Sequence, residues 1–385
     1  MNFRLVSRGL NIDMEVDPVS FNLLLPSCNL QASGGQTLAL ALANPDRYPH
    51  LEQCVTPDDR VAIAVDSEGV NNPDAVRVVV DRLKTGGVLE GNVSLVLGMG
   101  CEPVAEQRLR SELSGIRIVR HDPDKSDDSC YLATLRNGKR VYLNRELLES
   151  DFQVFIGSPS RGVNGSLVGS EVQILAGLIV PQQVGVGLDS KELEEVGTLL
   201  GTPYFLSGVT GGGSGGTTCW WAGGWESAKG AKKAHREAWR ARAKAESDLV
   251  VVAAGESGED SFGFWCQVMR KASKLVRDQG QIILVAGNSQ LDLAPWEAFF
   301  ERAGEPGELL ENVRLIPRHL RCVGWWARAA EKARIQVVSG LPDDVVTGMF
   351  AHPLAPDKVS GLVQASRSVA LIGDFSKAIV GAPIL

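Results

Sequence analysis

Short apolar runs alternate with amphipathic stretches in the first half of the chain. Val61–Val65 (VAIAV) and Val93–Leu97 (VSLVL) are runs of the type found in strands that are buried on both faces. Between them, Pro73–Lys84 carries apolar residues at helical spacing, and Pro103–Leu113 has proline in its first turn. Because parallel strands need crossovers of this kind, the alternation predicts a parallel sheet covered by helices.

A hairpin is predicted to interrupt this alternation. Tyr131–Leu135 and Val141–Leu143 flank the dipeptide Asn137-Gly138, which favours a tight primed turn. The apolar run Phe152–Ile156 then returns the chain to a strand.

A second α/β unit is predicted from about Asp248. Its strands are Leu249–Ala253, Ile282–Ala286, Ile335–Val338 and Val369–Ile372, and its helices include Phe262–Val276, Trp296–Arg302 and Val323–Ala333. The fold class is therefore α/β, with two α/β domains that have mostly parallel sheets. The predicted divisions are 1–219 for the first domain, 220–247 for a basic, Trp-containing helical connector, and 248–385 for the second domain.

The connector has two interpretations. On a helix, one face would carry Trp221, Trp225, Ala228, Lys232, His235 and Trp239. Basic charge with tryptophan is typical of an interfacial membrane helix. Lys232 and His235 interrupt the apolar stripe, however, which favours a helix that packs against a neighbouring domain and exposes a basic back.

The composition excludes several classes of protein. The chain has 39 Lys and Arg against 46 Asp and Glu in 385 residues, a net charge of −7, which argues against a general nucleic-acid-binding surface. The seven cysteines form no CxxC pair and the five histidines no HExxH pair, so we expect reduced thiols and no metal site. The sequence shows no apolar run that could span a membrane and no secretion signal, so a cytoplasmic protein is expected.

Three loops at predicted strand ends carry polar side chains. Ligands in open α/β sheets bind beyond the carboxyl ends of the strands. These loops supply Asp66 and Cys101 as candidate catalytic residues and Glu68, Arg161 and Asn164 as candidate ligand-binding residues. The alternatives are that Asp66 only caps its turn and that Cys101 is a small packing residue.

Longer motifs in the same order resemble the nickel-dependent lactate racemase family (the LarA superfamily). The matching stretches are ALANPDRYPHLEQCVTPDDRVAIAVD, HDPDKSDDSCYLATLRNGKRVYLNRELLESDFQVFIGSP, QIILVAG and ARIQVVSGLPDDVV. The resemblance implies two α/β domains with the site in a cleft between them, and a nickel-pincer nucleotide attached covalently to a lysine. It also implies that histidines bind the nickel and move protons while the hydroxy acid gives its Cα hydrogen to the cofactor as hydride. A cofactor is needed for this step because no side chain accepts hydride.

Transferring the family's functional positions onto this chain shows one match and several replacements. Asp66 retains the family's aspartate. Cys101 replaces the catalytic histidine, Gly162 replaces another family histidine, and Val172 replaces the cofactor lysine. Lys191 replaces the nickel-binding histidine, and Phe264 and Gln267 replace a Gln-x-x-Lys pair. Glu171, Lys191 and Gln267 are added to the candidate ligand-binding residues. Because valine cannot form the covalent link, no nickel-pincer cofactor is expected.

Three functional hypotheses follow. The first is a family member without nickel-dependent racemase activity, which binds a small hydroxy-acid-like ligand or regulates a partner, such as another copy of itself or a paralogous racemase. The second is a 2-hydroxy-acid racemase or epimerase with a re-invented site that uses Asp66 and Cys101. The third is a protein- or membrane-docking role for the stretch Trp220–Asp248, of which the membrane version is disfavoured.

Overall fold

A computed structural model describes most of the chain. It describes all residues except 1, 8–9, 16, 18–19, 21–22, 25–29, 32, 67–71, 99–102, 114, 123–124, 162–166, 181–187, 189, 202, 211–217, 244, 256–261, 288–290, 292, 318–319, 374, 376–378 and 381–385.

Strands and helices alternate along most of the described chain. The strands are β1 Asn2–Ser7, β2 Leu10–Glu15, β3 Leu23–Leu24, β4 Val61–Val65, β5 Val93–Leu97, β6 Arg117–Arg120, β7 Ser129–Thr134, β8 Arg140–Asn144, β9 Phe152–Gly157, β10 Ser160–Arg161, β11 Leu167–Val168, β12 Ile179–Val180, β13 Tyr204–Thr210, β14 Thr218–Gly223, β15 Arg240–Ala243, β16 Ser247–Ala253, β17 Val276–Gly287, β18 Ala333–Ser339, β19 His352–Pro353, β20 Val369–Ile372 and β21 Ile379–Val380. The α-helices are α1 Leu38–Ala43, α2 Pro73–Thr85, α3 Pro103–Glu112, α4 Arg145–Leu148, α5 Ser170–Leu178, α6 Ser190–Leu199, α7 Trp225–Trp239, α8 Phe262–Ala272, α9 Ala294–Arg302, α10 Pro306–Glu311, α11 Val323–Lys332, α12 Asp343–Gly348 and α13 Lys358–Ala365.

The chain divides into two compact units. One unit includes Cys28–Gly211 and Gly216–Ala238, and the other includes Met1–Ser27 and Trp239–Leu385. These bounds differ from 1–219, 220–247 and 248–385. The N-terminal strands belong to the second unit because Leu5, Ile12 and Met14 are buried in its core.

A six-stranded sheet organises the first unit. Its order is β14-β13-β9-β4-β5-β6, in which only the β13–β14 pair is antiparallel. Alternate residues of β4 point into two separate apolar cores, with Ile63 on one face and Ala62 on the other. Burial on both faces explains the uninterrupted apolar sequence, and the predicted parallel sheet is confirmed.

The predicted hairpin is also confirmed. β7 and β8 pair in antiparallel fashion around Asn137 and Gly138, and Gly138 adopts a φ of 86°. This left-handed conformation favours glycine. The turn is not the predicted tight primed type, however, because Asn137 does not share the positive φ; Leu135 and Lys139 close a three-residue loop that ends in Gly138.

The second unit contains a five-stranded parallel sheet. Its order is β19-β18-β17-β16-β20. The predicted helix Phe262–Val276 is too long, because α8 ends at Ala272 and Val276 already begins β17. Leu275 and Val276 are fully buried, and Val276 pairs with Ser247, so tertiary pairing ends the helix here.

The basic, Trp-containing stretch is only partly helical. Trp220 and Trp221 lie in β14, where they pair with Gly208 and Ser207 of β13. The helix α7 starts at Trp225, after Gly223 at a φ of 133°. The chain leaves helical conformation again at Arg240, where β15 begins. The observed helix is therefore shorter than the predicted helical connector at both ends.

Helix α7 packs one face into the first unit and exposes its basic face. Ala228, Ala231 and Ala234 are almost fully buried, whereas Lys233 and Arg236 are exposed. Trp220 and Trp221 are buried as well, each 7% exposed. The solvated basic back is as expected. The buried face, however, packs within the first unit, to which the helix itself belongs as far as Ala238. Within the described residues, no helix is long and apolar enough to cross a membrane.

Candidate functional site

In the sheet of the first unit, the direction in which successive strands are added reverses between the neighbouring strands β4 and β9. From β4 the chain proceeds outward through β5 and β6, then returns to the other side of β4 for β9 and β13. A reversal of this kind opens a crevice at the carboxyl ends of the two central strands, where α/β proteins bind ligands. Asp66 is the first residue after β4, so the predicted candidate lies at this switch point.

Asp66 links the ends of the two central strands. Its carboxylate Oδ2 accepts a hydrogen bond from the Ser158 backbone N–H at 3.0 Å, and its own N–H donates to the Ile156 carbonyl at 3.4 Å. The residue is 6% exposed. The contact supports a structural role for Asp66 at the strand ends and fixes the position of its carboxylate at the switch point.

Gly157 makes room for that carboxylate. A Cβ atom at this position would lie 2.3 Å from Oδ2 of Asp66, far inside van der Waals contact. The side chain of Asp66 therefore lies directly over the last residue of β9, and only glycine fits beneath it.

Helix α5 approaches the same edge of the sheet. A Cβ atom on Gly98, directly after β5, would lie 3.3 Å from the Gly177 backbone of α5. At the other end of the helix, the hydroxyls of Ser170 and Ser207 are 2.7 Å apart and buried. The helix that includes Glu171 and Val172 is thus held at both ends against the sheet.

The structure describes the other predicted site residues fully, in part or not at all. Glu68, Cys101, Asn164 and also Gly162 lie outside the described residues. Arg161 lies in β10, which begins three residues after β9 ends, and Glu171 lies in the first turn of α5; the backbone alone is described for both. Lys191 is exposed on α6, and Gln267 is half-buried on α8 of the second unit. Asp66 is therefore the predicted residue whose side-chain contacts define the site.

Sequence reasoning missed His121 as a candidate residue. It directly follows β6, at the carboxyl edge of the same sheet, and is 2% exposed. Its Nδ1 lies 3.2 Å from Nδ2 of Asn144. The Oδ1 of Asn144 accepts the Leu147 N–H at 3.2 Å as the cap of α4, which orients the amide so that Nδ2 donates to His121. We therefore assign the neutral tautomer with its proton on Nε2.

Burial determines the protonation of His121. It lowers the pKa of the imidazole, while the carboxylates of Asp128 and Asp122 act in the opposite direction. Among the residues that the structure describes, the buried Nε2 atom has no hydrogen-bond partner, and neither does the buried Ser129 hydroxyl in β7. Two sequence signals pointed to this residue: its position after the third parallel strand, and its place as the first residue of the matching stretch HDPDKSDDSC. Neither distinguished His121 from an ordinary loop histidine.

Comparisons with known proteins agree with this fold. Residues 10–159 match the family model described as the lactate racemase N-terminal domain. The whole chain is similar in structure to the lactate racemase apoprotein from Thermoanaerobacterium thermosaccharolyticum, with a TM-score of 0.74, 16% identity, and coverage of 99% of this chain and 100% of that chain. A protein from Thermotoga maritima is similar with a TM-score of 0.62, 11% identity, and coverage of 85% and 95%. A search of curated proteins found no match.

Proposed function

We propose, from the premise that residues 10–159 of this chain are a lactate racemase N-terminal domain, that the protein binds a small hydroxy-acid-like ligand and lacks nickel-pincer racemase activity. The fold is similar to that of lactate racemase, but the residues that the resemblance assigns to cofactor chemistry are replaced. A shared fold does not by itself imply a shared reaction, so the site residues decide the proposal.

The observation that carries the proposal is Val172. The resemblance places this residue, in the first turn of α5, at the position of the lysine that holds the cofactor. Valine has no amine or other nucleophile, so it cannot form the covalent attachment. The residue set therefore does not fit a covalently bound nickel-pincer nucleotide.

The donor set at the other matched positions supports the same conclusion. Gly162 and Lys191 stand where the family uses histidines, and neither offers the neutral imidazole that suits nickel. In the part of the chain that the structure describes, no group of three His, Cys, Asp or Glu side chains is arranged to hold a metal ion. Hydride transfer has no acceptor among the side chains themselves.

We infer the ligand class from Asp66 and from the residue type of Arg161. Asp66 supplies a fixed carboxylate that accepts hydrogen bonds, which suits a ligand hydroxyl. Arg161 lies in β10, which begins three residues after β9 ends, and a guanidinium is the side-chain group that best pairs with a ligand carboxylate. A hydroxyl beside a carboxylate is the chemistry of a 2-hydroxy acid.

Calorimetric titration with a panel of chiral 2-hydroxy acids tests the binding proposal. The Asp66→Asn variant keeps an oxygen to accept the Ser158 N–H but removes the charge, and we expect it to weaken binding at least tenfold. The matched control is Asp58→Asn, which changes an exposed carboxylate and should leave binding unchanged. No binding across the panel, or equal binding by both variants, would refute the proposed site.

The alternative is a 2-hydroxy-acid racemase or epimerase with a re-invented site. Asp66 favours it, because a buried carboxylate at the switch point is placed as an acid–base group would be. Such an enzyme would have to remove the Cα hydrogen as a proton, with Cys101 as the second group. Turnover in D₂O would then incorporate deuterium at Cα, and Asp66→Ala and Cys101→Ala would each abolish it. Bound ligand with no incorporation supports the first proposal.

A regulatory form of the proposal involves a second chain. The partner would be another copy of this protein or a paralogous racemase, with the hydroxy-acid-like ligand controlling the association. Sedimentation velocity with and without ligand distinguishes this form from simple binding, because only the regulatory form predicts a ligand-dependent change in mass.

A further inference from the structure

Two cysteines of the second unit meet at the packing contact between α8 and α11. Cys266 lies on α8, and Cys322 directly precedes α11. The stacked rings of Trp265 and Trp326, with centroids 6.3 Å apart, pack the two helices against each other. The thiols of Cys266 and Cys322 share a side-chain hydrogen bond across this contact.

The surroundings of Cys322 favour its thiolate. The Cys322 thiol donates to the Leu320 carbonyl at 3.7 Å, and the Trp296 indole N–H donates to the same carbonyl at 3.3 Å. The side-chain hydrogen bond with Cys266 is the largest influence that lowers the pKa of Cys322, and partial burial acts in the other direction. A cysteine before a ten-residue helix also benefits from the positive end of the helix dipole.

The two thiols differ in accessibility and acidity. Cys266 is fully buried, and burial raises its pKa well above the ordinary thiol value. Cys322 is half-buried. One thiol is therefore activated and reachable from solvent, and the other is held beside it and protected. This is the arrangement of an attacking cysteine with a resolving cysteine.

We propose that Cys266 and Cys322 form a reversible disulfide when the protein meets a peroxide. Nothing in this inference depends on the proposed hydroxy-acid site, since both cysteines lie in the second unit. The modification fastens α8, which also carries Gln267, to the residue before α11.

The chemistry balances with hydrogen peroxide as the oxidant. The Cys322 thiolate attacks one peroxide oxygen, the O–O bond breaks, and Cys322 becomes a sulfenic acid while hydroxide leaves. The Cys266 sulfur then attacks the oxidised sulfur of Cys322, and the S–O bond breaks as water departs with the Cys266 proton. The sulfurs lose two electrons in total, the peroxide gains them, and a thiol reductant reverses the change.

Peroxide titration of the full chain, followed by mass spectrometry of unreduced peptides, tests the proposal. We expect a linked peptide that joins Cys266 to Cys322, which dithiothreitol removes. In the Cys266→Ser variant, a dimedone-trapped sulfenic acid at Cys322 should replace the disulfide. In Cys322→Ser, no disulfide to Cys266 should form, and this second variant keeps the test informative if Cys266→Ser folds poorly.

Cys54 and Cys130 serve as internal controls. Both are half-buried like Cys322, but burial raises their pKa. At neutral pH we expect iodoacetamide to alkylate Cys322 at least several-fold faster than either of them. Equal alkylation rates, or oxidation of wild-type Cys322 to the sulfinic acid without a link to Cys266, would overturn the proposal.

Discussion

A Cβ atom on Gly157 would lie 2.3 Å from Oδ2 of Asp66. We therefore predict that Gly157→Ala lowers the free energy of unfolding by about 1–3 kcal/mol, because the carboxylate must move and weaken its hydrogen bond to the Ser158 N–H. Urea denaturation measures this change.

A double-mutant cycle separates this contact from other effects of Gly157→Ala. The substitution should cost less in an Asp66→Ala background, where the clash is removed, and the coupling should be on the order of 1 kcal/mol. Gly361→Ala, in the middle of α13 with open space around the new methyl group, is the matched control and should stabilise by up to ~1 kcal/mol. Additive costs at Gly157 and Asp66 would contradict the described geometry.

Burial of His121 predicts a pH dependence of stability. Because burial lowers its pKa below the ordinary value, the unfolded chain binds more protons than the folded protein between the two pKa values. The His121 contribution is therefore complete above about pH 6.5 and is lost as the pH falls through the lower folded-state pKa. His121→Gln should remove this part of the slope of unfolding free energy against pH.

The control for this prediction is His352→Gln, which replaces an exposed histidine in β19. It should retain the wild-type slope below pH 6.5. Identical slopes for wild type and His121→Gln would show that His121 is not buried in its neutral form.

The two faces of α7 predict opposite tolerance of charge. Ala234 is 1% exposed, so Ala234→Glu buries an unpaired carboxylate and should cost about 3 kcal/mol or more. Lys233 is exposed on the same helix, and Lys233→Glu should change stability by no more than ~0.5 kcal/mol. Thermal unfolding of both variants checks the pair. A tolerated Ala234→Glu would reopen the interpretation of α7 as a surface or membrane-binding helix.

The local sequence predicted the positions of the strands in both large sheets well. Val61–Val65 and Val369–Ile372 have the predicted bounds, because strands that are buried on both faces need uninterrupted apolar runs. The assignment of Trp220 and Trp221 to a helix was wrong, because helical spacing of Trp221 and Trp225 cannot reveal that β13 offers an edge for pairing. Sheet edges depend on contacts distant in sequence.

The candidate site was predictable only in part for the same reason. Asp66 followed from the rule that ligand-binding residues stand after parallel strands, and the structure places it at the switch point. His121 follows a strand just as Asp66 does, but its burial and tautomer depend on Asn144 of the hairpin that comes later in the chain. The role of Gly157 likewise depends on a carboxylate ninety-one residues earlier in the chain.

The proposed function requires that a chain with a fold similar to that of lactate racemase carries no covalently bound nickel-pincer nucleotide. The most direct measurement is the intact mass and nickel content of the protein after its expression together with the enzymes that make the cofactor. We predict the mass of the unmodified polypeptide and no stoichiometric nickel, because Val172 offers no nucleophile. A mass increase equal to the cofactor, accompanied by one nickel ion per chain, would contradict the account.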